Sequence, residues 1–271
     1  RCLHAQAGLA DHAPQRVLAP GESVASPRVH LSMQYGDEDT CANALFDHLR
    51  RAALPARPWP EPHPVGYHYG GYLNPVWIAT TPEIIHKEID QAALLGAELF
   101  TVDAGWNVPA GKSYVEVFGD WWESPTLRGQ LGACFDYART KGLGAALWAP
   151  IEAVGSSSRV LAEHPEWLLR DGPRPAMMLD LAQPAVEEYV YGTISGLIER
   201  YRLACFRIDG GVEHFATWDA PHGRYRESRA WRYYEALYRI FERVRAAYPQ
   251  TALENCWGGG GRIDLGMMRR F

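Results

Sequence analysis

Short apolar runs alternate with amphipathic segments along most of the chain. Strand-like runs lie at residues 65–69, 98–103, 143–148, 203–209 and 251–256. Apolar positions at helical spacing follow at residues 81–96, 126–141, 184–200 and 227–248. The first of these begins with Thr81-Pro82, a common helix start. This alternation predicts parallel βα units, either in an open sheet or in a barrel.

The run at residues 203–209 ends in Asp209, followed by two glycines. This pattern predicts a buried strand with a carboxylate at its C-terminal end, where catalytic groups of (β/α) barrels are found. Asp209 has two other interpretations at this point. It would also suit the cap of the next helix, or an ion pair with Arg207.

Polar or aromatic residues follow several of the predicted strands, not just one: Asp103, Trp148, Asp209, Glu254 and Cys256. Function at many strand ends favours a barrel, because an open sheet collects its site at one switch point. We therefore predict an α/β fold, a partial (β/α)8 TIM barrel comprising about the first five units. The remaining three units are expected after residue 271.

The first 55 residues have a different pattern. Residues 29–33 alternate like a strand at the edge of a β domain, and residues 40–53 form a helical pattern. Five prolines within residues 55–64 indicate a stiff, extended connection. The predicted boundaries are 1–55 for the end of an N-terminal domain, 56–64 for the linker and 65–271 for the barrel.

Composition narrows the function. A net charge of -5 without a basic tract excludes nucleic-acid binding, and no apolar run is long enough for a membrane span. The five cysteines are scattered and odd in number, so they predict neither disulfides nor a zinc site and favour a reducing cytoplasm. The pattern implies no metal or other cofactor. Ten Trp and fourteen Tyr can lie in the core, but they also suit stacking on the apolar faces of sugar rings.

Asp103 and Asp209 together suit the carboxylate chemistry that hydrolyses glycosidic bonds. Three of these strand-end residues also have simpler interpretations. Asp103 would suit a helix or loop cap, Trp148 would suit core packing, and Glu254 would suit a buried pair with an arginine. The glycine run at residues 258–261 would suit phosphate binding, but it lacks the Lys-Ser/Thr of a P-loop.

Seven segments in order resemble the motifs of glycoside hydrolase family 36, the bacterial α-galactosidase (melibiase) family. In that family the motifs read LFVLDDGW, GDW, LWFEPEMV, HPDW, RNQLVLDL, IKWD and ESCSGGGGRFD. The similar segments here are residues 99–106, 119–121, 147–154, 164–167, 174–181, 206–209 and 254–264. The segment before the prolines resembles the end of the family's N-terminal β-sandwich, and the similarity covers nearly the whole chain.

The resemblance implies a retaining enzyme that cleaves terminal α-linked galactose or a related α-sugar, with Asp209 as the nucleophile. Its implied substrate-binding residues are Asp103, Trp148, Arg174, Arg207, Cys256 and Gly258. The implied partner is an oligosaccharide or glycoside substrate, and a homo-oligomer is allowed for in the full-length form. The family's acid/base aspartate is expected beyond residue 271.

Two departures from the family motifs keep alternatives open. Ala104 stands where the family has the second aspartate of its DDGW motif, and Arg207 stands in place of a lysine. The first change leaves the sugar specificity open. The alternatives are a catalytically degenerate, carbohydrate-binding barrel and an α-glycosidase of different sugar specificity.

Overall fold

The computed structural model describes residues 15–26, 28–55, 64–70, 80–171, 174–210, 219–222 and 224–271, but not the side chains of residues 170–176 and 219–222. Its strands are β1 (Gly66–Tyr69), β2 (Leu99–Val102), β3 (Gly144–Ala149), β4 (Leu168–Asp171), β5 (Arg174–Leu179), β6 (Cys205–Ile208), β7 (Asp219–His222), β8 (Tyr225–Ser228) and β9 (Ala252–Asn255). Its α-helices are α1 (Glu38–His48), α2 (Pro82–Leu94), α3 (Leu131–Thr140), α4 (Arg159–Glu163), α5 (Pro184–Tyr201), α6 (Arg229–Ala247), α7 (Trp257–Gly260) and α8 (Leu265–Met268).

Five strands form one parallel sheet in the order β1-β2-β3-β6-β9. The five strand-like runs of the sequence therefore correspond to the five strands of this sheet, and the α/β architecture is confirmed. Two antiparallel hairpins lie between strands of this sheet along the chain: β4-β5 between β3 and β6, and β7-β8 between β6 and β9.

Successive residues of each strand point to opposite faces of the sheet. On one face Phe100, Leu147 and Phe206 are fully buried in the main core, where helices α2, α3, α5 and α6 also pack. Burying side chains of this size contributes about 1.5–3 kcal/mol each. On the other face, small side chains form a separate cluster around Ala146 and Cys205. Towards the C-terminal ends of the strands, this second face carries larger polar groups.

The sequence predicts the start of α2 correctly, but it places the start of α3 too early. Thr81 caps α2 through its hydroxyl, and Pro82 is the first helical residue. Residues 125–127 form only a short 3-10 turn, because Arg128 and Gly129 then adopt left-handed conformations with φ of 55° and 72°. The helix begins afresh at Leu131.

Two other expectations are wrong. Residues 29–33 form no strand, and Met33 is fully exposed; no described segment pairs with them, so their backbone groups lack the ladder that would define a strand. Glu227 lies in β8 and not in α6, because the β7-β8 hairpin occupies the segment before that helix.

The domain boundaries stay predictions. Most of the proline-rich linker, residues 56–63, lies outside the described residues, and the β-sandwich is not among the elements of the part that the structure describes. Helix α1 forms where residues 40–53 predict a helix and continues into a π-helical turn, Leu49–Ala53. Within the described ranges, no helix is both long and apolar enough to cross a membrane.

Candidate active site

Asp209 directly follows β6, at the C-terminal edge of the sheet, and receives hydrogen bonds from three separate parts of the chain. Its Oδ2 accepts from the indole Nε1 of Trp148 at 3.0 Å. Its Oδ1 accepts from the backbone amides of Gly210 at 2.7 Å and Gly258 at 2.8 Å. The carboxylate is therefore held in one orientation from β3, from its own strand and from the loop after β9.

These donors favour the ionised form of Asp209. Burial alone would raise the pKa of its carboxyl group, because it disfavours the charge. The hydrogen bonds from Gly258, Trp148, Gly210 and the Cys256 thiol outweigh that effect and hold the pKa below its ordinary value. An ionised carboxylate at neutral pH is the form that a nucleophile needs.

Strand register places Arg207 between two other polar groups on the inner face of the sheet. It lies beside Trp148 of β3 on one side and Glu254 of β9 on the other. Arg207 Nη1 donates to Glu254 Oε1 at 2.6 Å. The arginine partner considered for Glu254 on sequence grounds is therefore Arg207. Asp209, two residues after Arg207, shares this face because strand side chains alternate.

Three further groups lie near the Arg207 guanidinium. Nη2 donates to Cys256 Sγ at 2.9 Å, and Nη1 lies 3.3 Å from His68 Nδ1. Nε lies 3.9 Å from Asp103 Oδ2, beyond hydrogen-bond distance. Burial opposes the charge of Arg207, but Glu254, Cys256, Asp103 and Asp209 together raise its pKa. His68 is isolated in the sequence, yet in the structure it lies within this cluster.

Asp103 and Ala104 follow β2 and lie on the floor of the same region. Both are nearly inaccessible to solvent, with 5% and 2% exposure. Asp103 Oδ1 accepts from the Ala104 amide at 2.7 Å, which is the local capping contact considered from the sequence. Its Oδ2 points towards His68 and Arg207 at 3.9 Å from each. Ala104 contributes only a methyl group where the family motif has a second carboxylate.

Trp148 belongs to an aromatic cluster as well as to the contact with Asp209. It is 3% exposed, and its ring packs against Tyr114 and Phe118 at centroid distances of 6.2 and 6.1 Å. Its carbonyl accepts from the indole of Trp106 at 2.9 Å. The ring of Trp148 is therefore packed, as the core interpretation expects, and its N–H donates to Asp209; its role in sugar binding stays a prediction.

The loop after β9 brings a backbone amide to Asp209 through a run of left-handed residues. Trp257, Gly258, Gly259 and Gly260 have φ of 44°, 57°, 89° and 107°. Glycine adopts such angles without steric penalty, whereas a residue with a Cβ does not. The amide of Gly258 donates to the Asp209 carboxylate, so this amide is already engaged by a group of the protein itself.

The structure brings six of the seven predicted site residues together at one edge of the sheet: Asp103, Trp148, Arg207, Asp209, Cys256 and Gly258. Arg174 is the first residue of β5, and its side chain lies outside the described part. Sequence reasoning missed the neighbouring ion pair of Glu152 and Arg262. The available signal was a single acid between apolar residues in the segment after β3.

Comparison with known proteins identifies the family of this chain. Residues 74–271 match the family model described as Melibiase. Alpha-galactosidase AgaA of Geobacillus stearothermophilus is 28% identical over 93% of this chain, and the probable alpha-galactosidase C of Aspergillus terreus is 27% identical over 94%. In each case the match covers 35% of the relative, so the chain spans about a third of the length of these relatives.

Solved structures show the same relationship. The crystal structure of the G. stearothermophilus family 36 α-galactosidase AgaA has 27% sequence identity and a TM-score of 0.66, and the match covers 77% of this chain and 30% of that one. A variant of that enzyme crystallised with stachyose reaches a TM-score of 0.71 over 83% of this chain, at 24% identity. The family model covers most of the residues that build the sheet and the carboxylate site, and the chain belongs to the melibiase family of glycoside hydrolase family 36 α-galactosidases.

Proposed function

We propose that this chain carries the nucleophile half of a retaining α-glycosidase site, with Asp209 as the nucleophile. In the first step a carboxylate oxygen of Asp209 bonds to the anomeric carbon while the glycosidic C–O bond breaks and the leaving oxygen takes up a proton. In the second step water attacks the same carbon, loses a proton to the residue that gave one, and releases Asp209. The proton donor implied by the family resemblance is an aspartate that we expect beyond residue 271.

One observation carries the proposal: the Asp209 carboxylate accepts hydrogen bonds from three chain segments, at an edge of the sheet that also holds Arg207, Asp103 and Glu254. The contact of Oδ1 with Gly258 joins the C-terminal ends of β6 and β9, a link across the sheet that a cap on the next helix would not make. A fixed orientation lowers the cost of bringing the nucleophile to the sugar.

The substrate class comes from the relatives. Variants of AgaA have been crystallised with stachyose and raffinose. For this chain we propose a terminal α-galactoside or a closely related α-sugar. Arg207, Asp103 and the Cys256–Gly258 loop would contact the sugar hydroxyls, and Trp148 would form the wall of the sugar subsite.

The test uses the protein as its gene encodes it. We would assay aryl α-glycosides of galactose, N-acetylgalactosamine, glucose and arabinopyranose with the wild type and Asp209→Asn. An α-galactosyl fluoride carrying a second fluorine on the ring would then trap the glycosyl-enzyme for peptide mass spectrometry. We expect turnover of one glycoside, its loss by a factor of at least about 10³ in Asp209→Asn, and a label on the peptide that contains Asp209. Turnover that survives the substitution would assign Asp209 a structural role.

Ala104 supports a second candidate, a carbohydrate-binding barrel without hydrolytic activity or an α-glycosidase for another sugar. The buried methyl group of Ala104 offers no hydrogen-bond acceptor where the family motif has a carboxylate with two oxygens. The same substrate panel separates these functions. Galactose binding without turnover of any glycoside supports the binding protein, and turnover of a sugar other than galactose supports the altered specificity.

A further inference from the structure

A fully buried ion pair lies behind the site, between the segment after β3 and the segment after β9. Arg262 Nη2 donates to Glu152 Oε1 at 2.7 Å, and Nη1 donates to Oε2 at 3.1 Å. Glu152 is 0% and Arg262 4% exposed. The hydroxyl of Tyr233, on α6, also donates to Glu152 Oε2. The pair is bidentate, the geometry in which an arginine fixes both position and orientation.

Arg262 directly follows the glycine loop and contacts two residues that precede it. Its guanidinium lies 3.7 Å from the ring centroid of Trp257, the residue before Gly258. Its carbonyl accepts from Asn255 Nδ2 at 2.6 Å, which ties it to the end of β9. The N-terminal side of the loop is fixed by the sheet, since the Cys256 amide donates to the Ile208 carbonyl at 3.0 Å. Arg262 fixes the C-terminal side.

This loop needs external support because its conformation is unfavourable. Trp257 has a Cβ and adopts φ of 44°, which costs roughly 1–2 kcal/mol relative to a right-handed conformation. Such conformations persist only where the surroundings over-determine them. The stacking of Trp257 on Arg262 supplies that constraint, and Glu152 fixes the guanidinium on which the indole stacks.

We propose that Glu152 and Arg262 are positioning residues, which hold the glycine loop so that the Gly258 amide reaches Asp209. The buried pair thereby acts on the reaction without touching the substrate. The effect of the pair on catalysis rests on the proposed function, whereas its effect on the position of the Gly258 amide does not. If the pair is broken, Asp209 loses one donor to its charged form, and its pKa rises as a result.

The test uses three variants and one matched control. Arg262→Lys keeps the charge but loses the planar fork, and Glu152→Gln keeps the shape but loses the charge. The double variant Glu152→Met with Arg262→Met removes both charges, a replacement that buried ion pairs often tolerate without loss of stability. Glu227→Gln is the control, since it removes a buried carboxylate that pairs with Arg232 and lies outside the glycine loop.

Crystal structures of the variants provide the readout that does not depend on activity. We expect the Gly258 N to Asp209 Oδ1 distance, 2.8 Å in the wild type, to exceed about 3.5 Å, the limit for a hydrogen bond, in all three variants but not in the control. An unchanged distance would overturn the proposal, whatever the protein hydrolyses.

Kinetics then test the catalytic consequence. We expect kcat to fall by about 10²-fold in Arg262→Lys and Glu152→Gln, as for loss of one preorganised donor, with the acid limb of the kcat/KM profile shifted to higher pH. The double variant should have a melting temperature close to that of the wild type, whereas its kcat should stay as low as in the single variants. Recovery of both would show that the pair serves stability alone. A wild type without glycosidase activity would refute the proposed function and leave the distance test standing.

Discussion

Trp148 donates a hydrogen bond to Asp209 through its indole N–H, and this donor can be removed without altering the backbone. We expect Trp148→Phe to raise the pKa of Asp209 and to move the acid limb of kcat/KM to higher pH. A hydrogen bond to a charged group contributes about 1.5–3 kcal/mol, so the expected loss in kcat/KM is about 10- to 100-fold. The pH profile separates this effect from the loss of the proposed contact between the Trp148 ring and the sugar. Loss of that contact would change KM without moving the acid limb of the kcat/KM profile.

Trp121 provides the matched control for this substitution. It is buried in the same aromatic cluster, with its ring centroid 6.5 Å from that of Trp106. Its indole nitrogen has no hydrogen-bond partner among the described residues. Trp121→Phe therefore removes the same atoms without removing a bond to Asp209. An equal shift of the acid limb in both variants would contradict the role of the Trp148 N–H.

The lowered pKa of Asp209 also makes a prediction about stability. Because the folded-state pKa lies below the unfolded value of about 3.9, the ionised carboxylate contributes stability above that value and loses it as the pH falls through the folded pKa. The free energy of unfolding of the wild type should therefore fall more steeply between about pH 5 and pH 2 than that of Asp209→Asn. Denaturant titrations across this range measure both slopes, and parallel curves would contradict the prediction.

The sequence predicts single residues well where position along a strand decides their place. Asp209, Arg207 and Trp148 share a face because strand side chains alternate, and neighbouring strands align them. It does not predict the partner of Glu152, because Arg262 lies 110 residues away and its approach depends on how two loops pack. An isolated acid in an apolar segment indicates that a partner exists but does not identify it.

Loop elements around the site pack backbone against backbone, and Gly155 marks the closest contact. Its amide donates to the Phe118 carbonyl at 2.8 Å, and an added Cβ would lie 2.3 Å from the Glu116 carbonyl group. This contact holds the 3-10 helix Tyr114–Val117 against the segment after β3, and so places Tyr114 on Trp148.

Substituting Gly155→Ala should force these two segments apart. We expect a loss of about 1–3 kcal/mol in the free energy of unfolding, as for other overpacked sites. Gly192→Ala is the matched comparison: this glycine lies within α5 with open space around it, and alanine there should add about 0.5–1 kcal/mol. Chemical denaturation measures both. A stabilised Gly155→Ala would show that the loop packing is not as close as described.

At the level of elements, the periodic segments of the sequence correspond to the sheet and its long helices. The hairpins are different. The segment of residues 177–181 gives a short apolar run in the sequence, and it includes the end of β5, which pairs with β4 instead of joining the parallel sheet. Short inserted strands have no long periodicity of their own, and their pairing depends on where the flanking elements place them.

For the whole molecule, the main consequence concerns the ends of the sheet. Among the described residues, β1 pairs only with β2 and β9 pairs only with β6. Strand edges with free backbone groups recruit other strands. We expect the 271-residue chain to associate increasingly with concentration in size-exclusion chromatography with light scattering. A monodisperse 271-residue monomer at all concentrations would contradict this.

The same arrangement explains what the sequence predicts at this scale and what it leaves open. Alternation of strands and helices predicts a parallel sheet, and the spread of polar residues over several strand ends favours a barrel. Closure into a barrel depends on strands that pair with β1 and β9, and pairing across such sequence distances is not encoded in local pattern.

The Glu152–Arg262 pair has a consequence for the order in which the protein is synthesised. Glu152 leaves the ribosome well before Arg262, with helix α6 and its Tyr233 made in between. A nascent chain that ends before residue 262 therefore has a carboxylate at an interior position whose countercharge does not yet exist, and burying such a charge alone is strongly unfavourable. We therefore expect the first three strands to complete their packing only after the fifth has emerged, so that the five-strand sheet folds as a single cooperative unit and not as a stack of independent βα repeats.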